Sequence, residues 1–485
     1  MNADRRMALG CSRRDFLRGS LLTAGALALH GYAAPPPPNP DAAKLVLAAI
    51  GCGGKGSGDI TVLMDTGLSI GALCDVDAVA LKKMAEQVRR ENNPKVRLYR
   101  DFREMLDKEK DRIHAVTIAT PDHMHAPAAA LAMSLGKHVY CQKPLTHTLW
   151  EARRLRELAQ QSGVVTQMGN QGSATSALRR AVEVLQAGIL GPIREVQVWT
   201  NQPGWPQGIE RPARVDRVPR TLDWDLWLGV APQRPFADEV YHPFKWRGWH
   251  DFGTGALGDM ACHICNLAFR ALHLGYATEV EAQAEGGTQE TYAKHAQVRF
   301  QFPARPNPGK PGARLPPLTL TWYEGGWSPS AELLHDVVDY AVPGADPSGK
   351  ATGATLPGVG CYFIGAKGRF FSGGDLGLAN LMRLNDEPKL RGITKHEAAV
   401  AVPETLPRVS NHYREWVDAC VAHQPGATYS RFEIAAHLTE SILLGCIAQR
   451  LPGRKIQWDG PNMRSPNTPE AAPLVKGSYR PGWAV

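Results

Sequence analysis

The chain has 485 residues, of which 43% are hydrophobic and 21% are charged, and its formal net charge is +8. This length exceeds one ordinary hydrophobic core, so we expect a soluble globular protein of two domains. The positive excess is mild and contains no basic runs, which argues against nucleic acid as a partner. No apolar run beyond the N-terminal region reaches the length of a membrane span.

The first 34 residues resemble an export signal. The run SRRDFLR at residues 12–18 is followed closely by the mildly apolar stretch LLTAGALALHGYAA. Paired arginines in this setting predict a twin-arginine signal over residues 1–34 and a periplasmic protein. A plain apolar N-terminal helix is the alternative. The proline-rich residues 35–43 are then a stiff linker.

The nine cysteines of the chain predict neither a disulfide framework nor a metal site. Their spacing is scattered, and a protein that folds in the cytoplasm keeps most thiols reduced. Cys262 and Cys265 form a C-x-x-C pair, but no second pair with ligand spacing accompanies it. We therefore expect no bound metal.

Residues 45–77 have the pattern of a dinucleotide-binding βαβ unit. An apolar run at residues 45–50 predicts a buried strand, and GCGGKG follows it as a G-x-G-x-x-G motif. A second apolar strand at residues 68–74 ends at Asp75, which can accept hydrogen bonds from the adenosine ribose. The predicted phosphate-binding residues are Gly51, Gly53, Gly54, Lys55 and Gly56. Because Asp75 repels a 2′-phosphate, the pattern favours NAD over NADP.

Strands and helices alternate up to residue 170, which predicts a parallel sheet with right-handed crossovers. Strands are predicted at residues 113–119, 137–141 and 164–168, and helices at 78–90, 101–106, 126–135 and 147–161. The polar loop TPDHMH follows the strand at residues 113–119. In doubly wound sheets ligands bind at such strand ends. We expect a Rossmann domain over residues 44–170.

The pattern changes after residue 188. Residues 193–200 alternate apolar and polar side chains, as a half-exposed antiparallel strand does. Further strands are predicted at residues 280–284, 295–302, 318–323 and 360–371, and proline- and glycine-rich loops at 305–317 and 342–359. We expect an α+β domain over residues 171–410 with a large, mostly antiparallel open sheet. Residues 411–485, with helices at 412–422 and 432–450, are expected to pack back on both domains.

Three motifs carry a resemblance to the glucose–fructose oxidoreductase/inositol dehydrogenase/MocA (Gfo/Idh/MocA) family. They are GCGGKG with CDVD, TPDHMHAPAAALAMSLGKHVYCQKPL, and GTGALGDMACHICN, within a match from about residue 44 to 450. The resemblance implies a Rossmann domain, a C-terminal α/β domain, and NAD(P)-linked chemistry on sugars, cyclitols or polyols. It also implies a dimer or tetramer formed through the C-terminal sheet. Further cofactor contacts are expected at Thr120, Pro121, His125, Gln142, Lys143 and Asn170.

Lys143 is the first candidate catalytic residue. It lies in QKP, where the family usually has EKP, and the resemblance implies a lysine near the nicotinamide that acts on the substrate hydroxyl. A lysine at a strand end in a closed cleft can exchange protons, whereas a solvated surface lysine is the plain alternative. Gln142 replaces the family's glutamate. Its neutral amide can still bind a ribose or an amide, although the local charge differs.

Asp259 and His263 are the other candidate catalytic residues. Their i, i+4 spacing places both on one helix face, and they match the family's D-x-x-x-H motif. His263 is expected to act as an acid–base partner because imidazole titrates near neutrality. Asp259 is expected to bind a sugar hydroxyl or to orient the base.

Substrate contacts are predicted just before this motif as well. Aromatic rings beside arginine and histidine suit a carbohydrate pocket, although most tryptophans are core residues. The predicted substrate residues are Tyr241, His242, Arg247, Trp249, Asp259 and His263.

Three functions remain open at this stage. The first is an exported oxidoreductase that moves a hydride between a saccharide or polyol and NAD. Because no free NAD pool lies outside the cytoplasm, this cofactor is expected to be tightly held and reset in place. The second is a redox-neutral glycoside hydrolase or lyase that oxidises, eliminates and re-reduces. The third is a non-catalytic sugar-binding protein.

Overall fold

The computed structural model describes residues 39–338 and 356–485. The predicted export signal and part of the proposed linker lie outside these residues. The described chain forms two main sheets, one parallel and one mixed. This confirms the predicted fold class of a Rossmann sheet followed by a domain with a large, mostly antiparallel sheet.

The first sheet has six strands in the order β3-β2-β1-β4-β5-β6, and all its neighbours pair in parallel. Its strands are β1 (Val46–Ile50), β2 (Ser69–Cys74), β3 (Arg97–Tyr99), β4 (Ala115–Ile118), β5 (His138–Cys141) and β6 (Thr166–Met168). Its helices are α1 (Gly54–Asp65), α2 (Ala78–Glu91), α3 (Phe102–Glu109), α4 (His125–Ser134) and α5 (Leu149–Ser162). The central strands are almost wholly buried, as expected when helices cover both faces.

Short polar side chains cap three of the five helices of this domain. Asp77 caps α2 by accepting from the Val79 N–H, and Asp101 caps α3. Thr148 and Glu151 form a reciprocal capping box at the start of α5. Such caps satisfy amide groups that a helix leaves without intrahelical acceptors. The starts of α2, α3 and α5 are thereby fixed close to strand ends, where the ligand-binding loops lie.

The second sheet has nine strands in the order β16-β15-β14-β13-β7-β12-β9-β8-β17, and only β7 and β12 pair in parallel. Its strands are β7 (Ile193–Thr200), β8 (Glu279–Glu285), β9 (His295–Phe302), β12 (Leu318–Glu324), β13 (Val359–Gly365), β14 (Gly368–Gly373), β15 (Ala379–Leu384), β16 (Arg391–Gly392) and β17 (Ile456–Gln457). A small separate hairpin joins β10 (Arg305–Pro306) to β11 (Arg314–Leu315). The associated helices are α6 (Ser176–Gln186), α7 (Trp224–Leu228), α8 (Gly255–Ile264), α9 (Asn266–Ala271), α10 (His335–Val338) and α11 (Glu397–Val400).

The strand predicted at residues 360–371 was wrong in its extent. The structure has two strands there, β13 and β14, which pair antiparallel as a hairpin. The intervening residues Ala366 and Lys367 bond back to Pro192 and Leu190. Neither residue is typical of a tight turn, so the sequence pattern does not show that the chain reverses here. The loop expected at residues 305–317 contains the β10–β11 hairpin, and most of the loop expected at 342–359 lies outside the described residues.

Two late helices return to the parallel sheet. Helix α12 (His412–Val421) packs Trp416 and Val417 into the cluster that includes Ile60 and Leu63 of α1. The 19-residue helix α13 (Phe432–Arg450) contacts α5 on one side and α8 and β8 on the other. It therefore joins the two sheets.

The C-terminal tail also returns to the parallel sheet. It follows α14 (Ala472–Lys476), and the Tyr479 hydroxyl donates to Glu151 Oε1 at 2.5 Å. The ring of Trp483 lies 6.1 Å from that of Phe102, beneath the guanidinium of Arg103. Across the described ranges, no helix is long and apolar enough to cross a membrane.

Candidate functional site

Two glycines of the loop between β1 and α1, Gly51 and Gly56, leave no space for a side chain. Gly51 has a φ of +90°, and a Cβ there would lie 2.5 Å from the Ala119 carbonyl oxygen. A Cβ on Gly56 would lie 2.2 Å from the Gly51 carbonyl oxygen. Helix α1 begins after Gly53 without a side-chain cap and without an acid in its first turn. Its N-terminus is therefore suited to the phosphates of a dinucleotide.

Asp75 lies directly after β2, beside this loop. Its Oδ2 accepts from the Cys52 N–H at 2.7 Å and its Oδ1 accepts from the Asp77 N–H at 2.8 Å. Burial raises the pKa of Asp75. Each carboxylate oxygen keeps a second acceptor position for a ribose hydroxyl. The glycine loop, the open helix end and this acid fit NAD, which these residues would hold.

His242 lies near the same strand end. Its Nε2 is 3.6 Å from Asp77 Oδ2, and burial lowers the pKa of its ring. The structure thus places this predicted substrate residue beside the acidic end of β2. Its role as a substrate contact stays a prediction.

Lys143 lies directly after β5 and reaches across to α8. Its Nζ is 3.0 Å from Asp259 Oδ1 and donates to the Asp259 carbonyl oxygen at 3.1 Å. Arg247 Nε lies 3.4 Å from the same Oδ1. The guanidinium of Arg247 also lies 4.3 Å from each of the Trp246 and Phe244 ring centroids. Lys143, Asp259 and Arg247 are therefore brought together from three separate parts of the chain.

The charges of this group determine the protonation of its acid. Burial acts to raise the pKa of Asp259, but Lys143 and Arg247 outweigh burial, and the pKa is lowered overall. Asp259 is consequently a carboxylate at neutral pH. A negative charge paired with two cations can anchor Lys143 and accept a hydrogen bond from a hydroxyl group.

His263 does not have the near-neutral titration that we expected. Burial, and then the charge of Lys143, lower its pKa to about 3. Its Nδ1 is buried without a partner among the described residues. The imidazole is therefore neutral at physiological pH, and its ionisation lies far from the value that the residue type alone suggests.

Gln142 and Lys55 both bond to the buried carboxyl group of Asp59. Gln142 Nε2 donates to Asp59 Oδ2 at 2.6 Å, and the Tyr413 hydroxyl donates to Asp59 Oδ1 at 2.6 Å. Lys55 pairs with Asp59 and donates to the Tyr413 hydroxyl oxygen at 2.9 Å. The side chain of Gln142 is thus held by Asp59, and its predicted contact with the cofactor stays a prediction. Asp59 and Tyr413 were not predicted from the sequence.

Two of the other predicted cofactor contacts, His125 and Asn170, have internal partners. His125 Nδ1 lies 2.8 Å from the Pro144 carbonyl oxygen and its Nε2 lies 3.0 Å from that of Thr120. Asn170 donates from Nδ2 to the Cys262 carbonyl oxygen at 3.2 Å, and its Oδ1 accepts from two serine hydroxyls. These side chains connect the loops that surround the cleft. Thr120 and Pro121 remain partly exposed in the loop after β4.

The expectation that Tyr241 and Trp249 offer open faces to a substrate needs correction. Tyr241 is 1% exposed and Trp249 is 0% exposed. Their rings lie 4.8 Å apart in an aromatic cluster with Phe252, and the guanidinium of Arg234 covers both. They form the core beneath the loop that carries Arg247, so their packing positions this loop.

Asp122 is a residue of this site that we did not single out from the sequence. It lies in the polar loop after β4 and is 1% exposed. Its Oδ2 accepts from the Thr254 hydroxyl at 2.8 Å, and its Oδ1 has no partner in the described part of the chain. Burial, and then the charge of Asp259, raise the pKa of Asp122 to about 7. Within the described ranges, no cluster of histidine, cysteine and acidic residues could hold a metal ion.

Two family models match this chain. The model of the oxidoreductase family, NAD-binding Rossmann fold, matches residues 45–170, and that of the oxidoreductase family, C-terminal alpha/beta domain, matches residues 180–302. Both describe the Gfo/Idh/MocA family, and together they span just over half of the chain. The chain belongs to the Gfo/Idh/MocA oxidoreductase family. Its first domain is the NAD-binding domain of that family.

Curated proteins similar to this Gfo/Idh/MocA chain include two of different activity. A levoglucosan dehydrogenase from Pseudarthrobacter phenanthrenivorans is 27% identical over 173 residues, which is 35% of each chain. A glycosyl hydrolase family 109 protein from Shewanella baltica is 28% identical over 173 residues, 31% of this chain and 37% of that one. The chain thus matches little more than a third of each relative.

Solved structures share the fold of this Gfo/Idh/MocA chain over most of its length. An inositol dehydrogenase homolog from Azotobacter vinelandii, complexed with NADH and myo-inositol, has a TM-score of 0.53 at 17% identity. That match covers 85% of this chain and 97% of the other. An aldose-aldose oxidoreductase from Caulobacter crescentus, complexed with glycerol, has a TM-score of 0.53 at 16% identity and covers 85% and 99%.

Proposed function

We propose that this protein is an exported oxidoreductase that acts on a CH–OH group of a saccharide or polyol. The observation that carries the proposal is the contact of Lys143 with Asp259, supported by Arg247, at the strand end where the Rossmann domain faces α8. The substrate class agrees with the dehydrogenase and sugar-oxidoreductase names among the similar proteins.

Each residue of the site has a separate role in this reaction. When bound, NAD⁺ accepts the hydride from the carbon that bears the hydroxyl group. Lys143 exchanges the hydroxyl proton at Nζ, and Asp259 holds Nζ in place through Oδ1 and its carbonyl oxygen. Neutral His263 offers a hydrogen bond to the sugar. Arg247 keeps Asp259 ionised and supplies a planar face with Trp246 for binding.

The first experiment identifies the cofactor and then removes the lysine. Denatured, purified protein should release NAD or NADH, identified by mass spectrometry. Lys143→Met should keep this dinucleotide but lose about 10²- to 10⁴-fold in turnover, the usual contribution of a positioned proton-transfer group.

Lys137→Met is the matched control because Lys137 directly precedes the same strand at its opposite end and donates to the Lys110 carbonyl oxygen. It should keep full activity. Undiminished turnover by Lys143→Met would overturn the assignment of the catalytic residue, and protein that releases no dinucleotide would favour a non-catalytic sugar-binding role.

A redox-neutral glycosidase is the second candidate because glycosyl hydrolase family 109 proteins are among the similar chains. Such an enzyme cleaves an aryl glycoside without added NAD and without net change of the bound cofactor. Net oxidation of a polyol, together with failure on a glycoside panel, supports the oxidoreductase instead.

Export by the twin-arginine route and tight retention of the cofactor complete the proposal. The support for export is the SRRDFLR run and the apolar stretch that follows it. Fractionation of cells that express the wild type and the Arg13→Lys/Arg14→Lys variant tests it. The variant should stay in the cytoplasm.

A further inference from the structure

Asp122 is a buried carboxyl group without a cation of its own. Its loop follows β4, which is the neighbour of β5, and Lys143 lies two residues after the end of β5. Thr254, whose hydroxyl donates to Oδ2, directly precedes α8, the helix of Asp259 and His263. The free Oδ1 is enclosed by protein. Asp122 thus connects the two elements that bring the catalytic residues together.

The cations nearby are already engaged by the other acid. Lys143 Nζ and Arg247 Nε both lie within 3.4 Å of Asp259 Oδ1. The ionisable groups that interact electrostatically with Asp122 are Asp259, Arg247, Lys143, Cys141, Cys262, Tyr292 and Cys446. A buried carboxylate without a cation of its own is unfavourable. Burial therefore raises the pKa of Asp122 to about 7, and the group keeps its proton below that pH.

We propose that Asp122 is a proton-controlled positioning residue of the proposed saccharide site. As a neutral acid it leaves both cations paired with Asp259. As a carboxylate it attracts Lys143 and Arg247 away from Asp259. The inference rests on the proposed function for its effect on turnover, whereas the ionisation itself is independent of any substrate.

The first arm of the test measures unfolding in the absence of substrate. The pKa of Asp122 is about 7 in the folded protein and about 3.9 in an unfolded chain. Between these two pKa values the folded state binds more protons than the unfolded state. The contribution of Asp122 to the free energy of unfolding therefore falls as the pH rises. Asp122→Asn cannot ionise and lacks this loss. The melting temperature of Asp122→Asn minus that of the wild type should therefore increase from pH 5 to pH 8.

Glu324→Gln is the matched control. Glu324 is 0% exposed, and burial raises its pKa to about 7, but it bonds to Trp322 and Gln449. It should show the same pH-dependent gain in melting temperature as Asp122→Asn. A difference between Asp122→Asn and the wild type that does not change with pH would overturn the ionisation of Asp122.

The second arm measures kcat/KM against pH on the best saccharide or polyol. The wild type should lose activity as the pH rises through about 7, as Asp122 ionises. Asp122→Asn should lack this decline, and Glu324→Gln should retain it. A decline that persists in Asp122→Asn would overturn the positioning role. If no saccharide or polyol is turned over, the proposed function fails, while the unfolding arm still decides whether Asp122 ionises.

Discussion

Asp259 Oδ1 is the atom on which the candidate site depends. It is shared between Lys143 and Arg247, and both cations lower the pKa of Asp259 against the effect of burial. While Asp122 is protonated, the consequence is a negative charge held beside the lysine amine. A hydroxyl group that enters the site in this state meets a donor and an acceptor that need no rearrangement.

His263 is expected to stay neutral throughout the physiological range. Burial and the charge of Lys143 lower its pKa to about 3, so the ring binds no second proton between pH 5 and 8. The imidazole signal of His263 in the NMR spectrum, identified by its loss in His263→Asn, should not shift across this range. Free imidazole in the same sample provides the titrating control. A midpoint near 6.5 for His263 would contradict the prediction.

Some residue-level conclusions could be drawn from the sequence and others could not. The i, i+4 spacing predicts that Asp259 and His263 share a helix face, and α8 contains both. Protonation was not predictable, because it depends on Lys143, more than a hundred positions away. Asp122 was overlooked because an acidic residue in a polar loop is normally solvated. Its burial depends on Thr254 and α8, which the sequence around it does not show.

At the level of elements, α1, β5 and α12 meet around Asp59. Asp59 of α1 is 0% exposed and accepts from Gln142, next to β5, and from Tyr413 of α12, which is 354 positions away. A negative charge is therefore present beside position 142, although the residue there is a neutral amide.

The fold should tolerate an exchange of the amide and the carboxyl group between positions 142 and 59. It should not tolerate a carboxyl group at both positions. Gln142→Glu brings a second carboxyl group against Asp59 and removes its donor. We expect the free energy of unfolding to fall by about 1–3 kcal/mol, the usual effect of a buried acceptor that loses its partner. Asp59→Asn in the same chain should restore most of this loss, because the amide–carboxylate pair forms again with its roles exchanged.

Urea unfolding at pH 7 measures each of these variants. Gln186→Glu is the control, since it adds the same charge at an exposed position of α6. A double variant no more stable than Gln142→Glu would contradict a direct interaction between positions 59 and 142.

The sequence predicted most elements of the first domain because strand, glycine turn and helix recur there in a regular order. Helix α13 was predicted with its observed bounds, Phe432–Arg450. The β13–β14 hairpin was missed because the two central residues of its turn, Ala366 and Lys367, are not the glycine or asparagine that such turns favour. The contact of α12 with α1 was expected only in outline, since distant pairings leave no local pattern.

For the whole molecule, buried histidines should govern the response to acid. Burial is the first cause of a pKa lowered to about 3 or 4 for eight described histidines: His123, His125, His138, His147, His250, His263, His412 and His437. Each binds a proton more readily in the unfolded chain, where the pKa is about 6.5. The free energy of unfolding therefore rises with pH between about 4 and 6.5.

Buried carboxyl groups oppose this trend. Burial raises the pKa values of Asp122, Glu151 and Glu324 to about 7, and it also raises those of Asp75 and Glu415. The histidines are more numerous, so we expect a lower urea midpoint at pH 4.5 than at pH 7. Equal midpoints, or a higher one at pH 4.5, would show that the histidines are protonated in the native state.

The C-terminal tail gives the molecule a dependence on its own last residues. Tyr479 supplies the partner of Glu151 in the capping box of α5, and Trp483 covers Phe102 at the start of α3. Both helices belong to the domain that is synthesised first. A chain that stops before residue 479 lacks these two rings and leaves those helix starts uncovered, so the domain that contains them is completed only after residues 479–483 are synthesised.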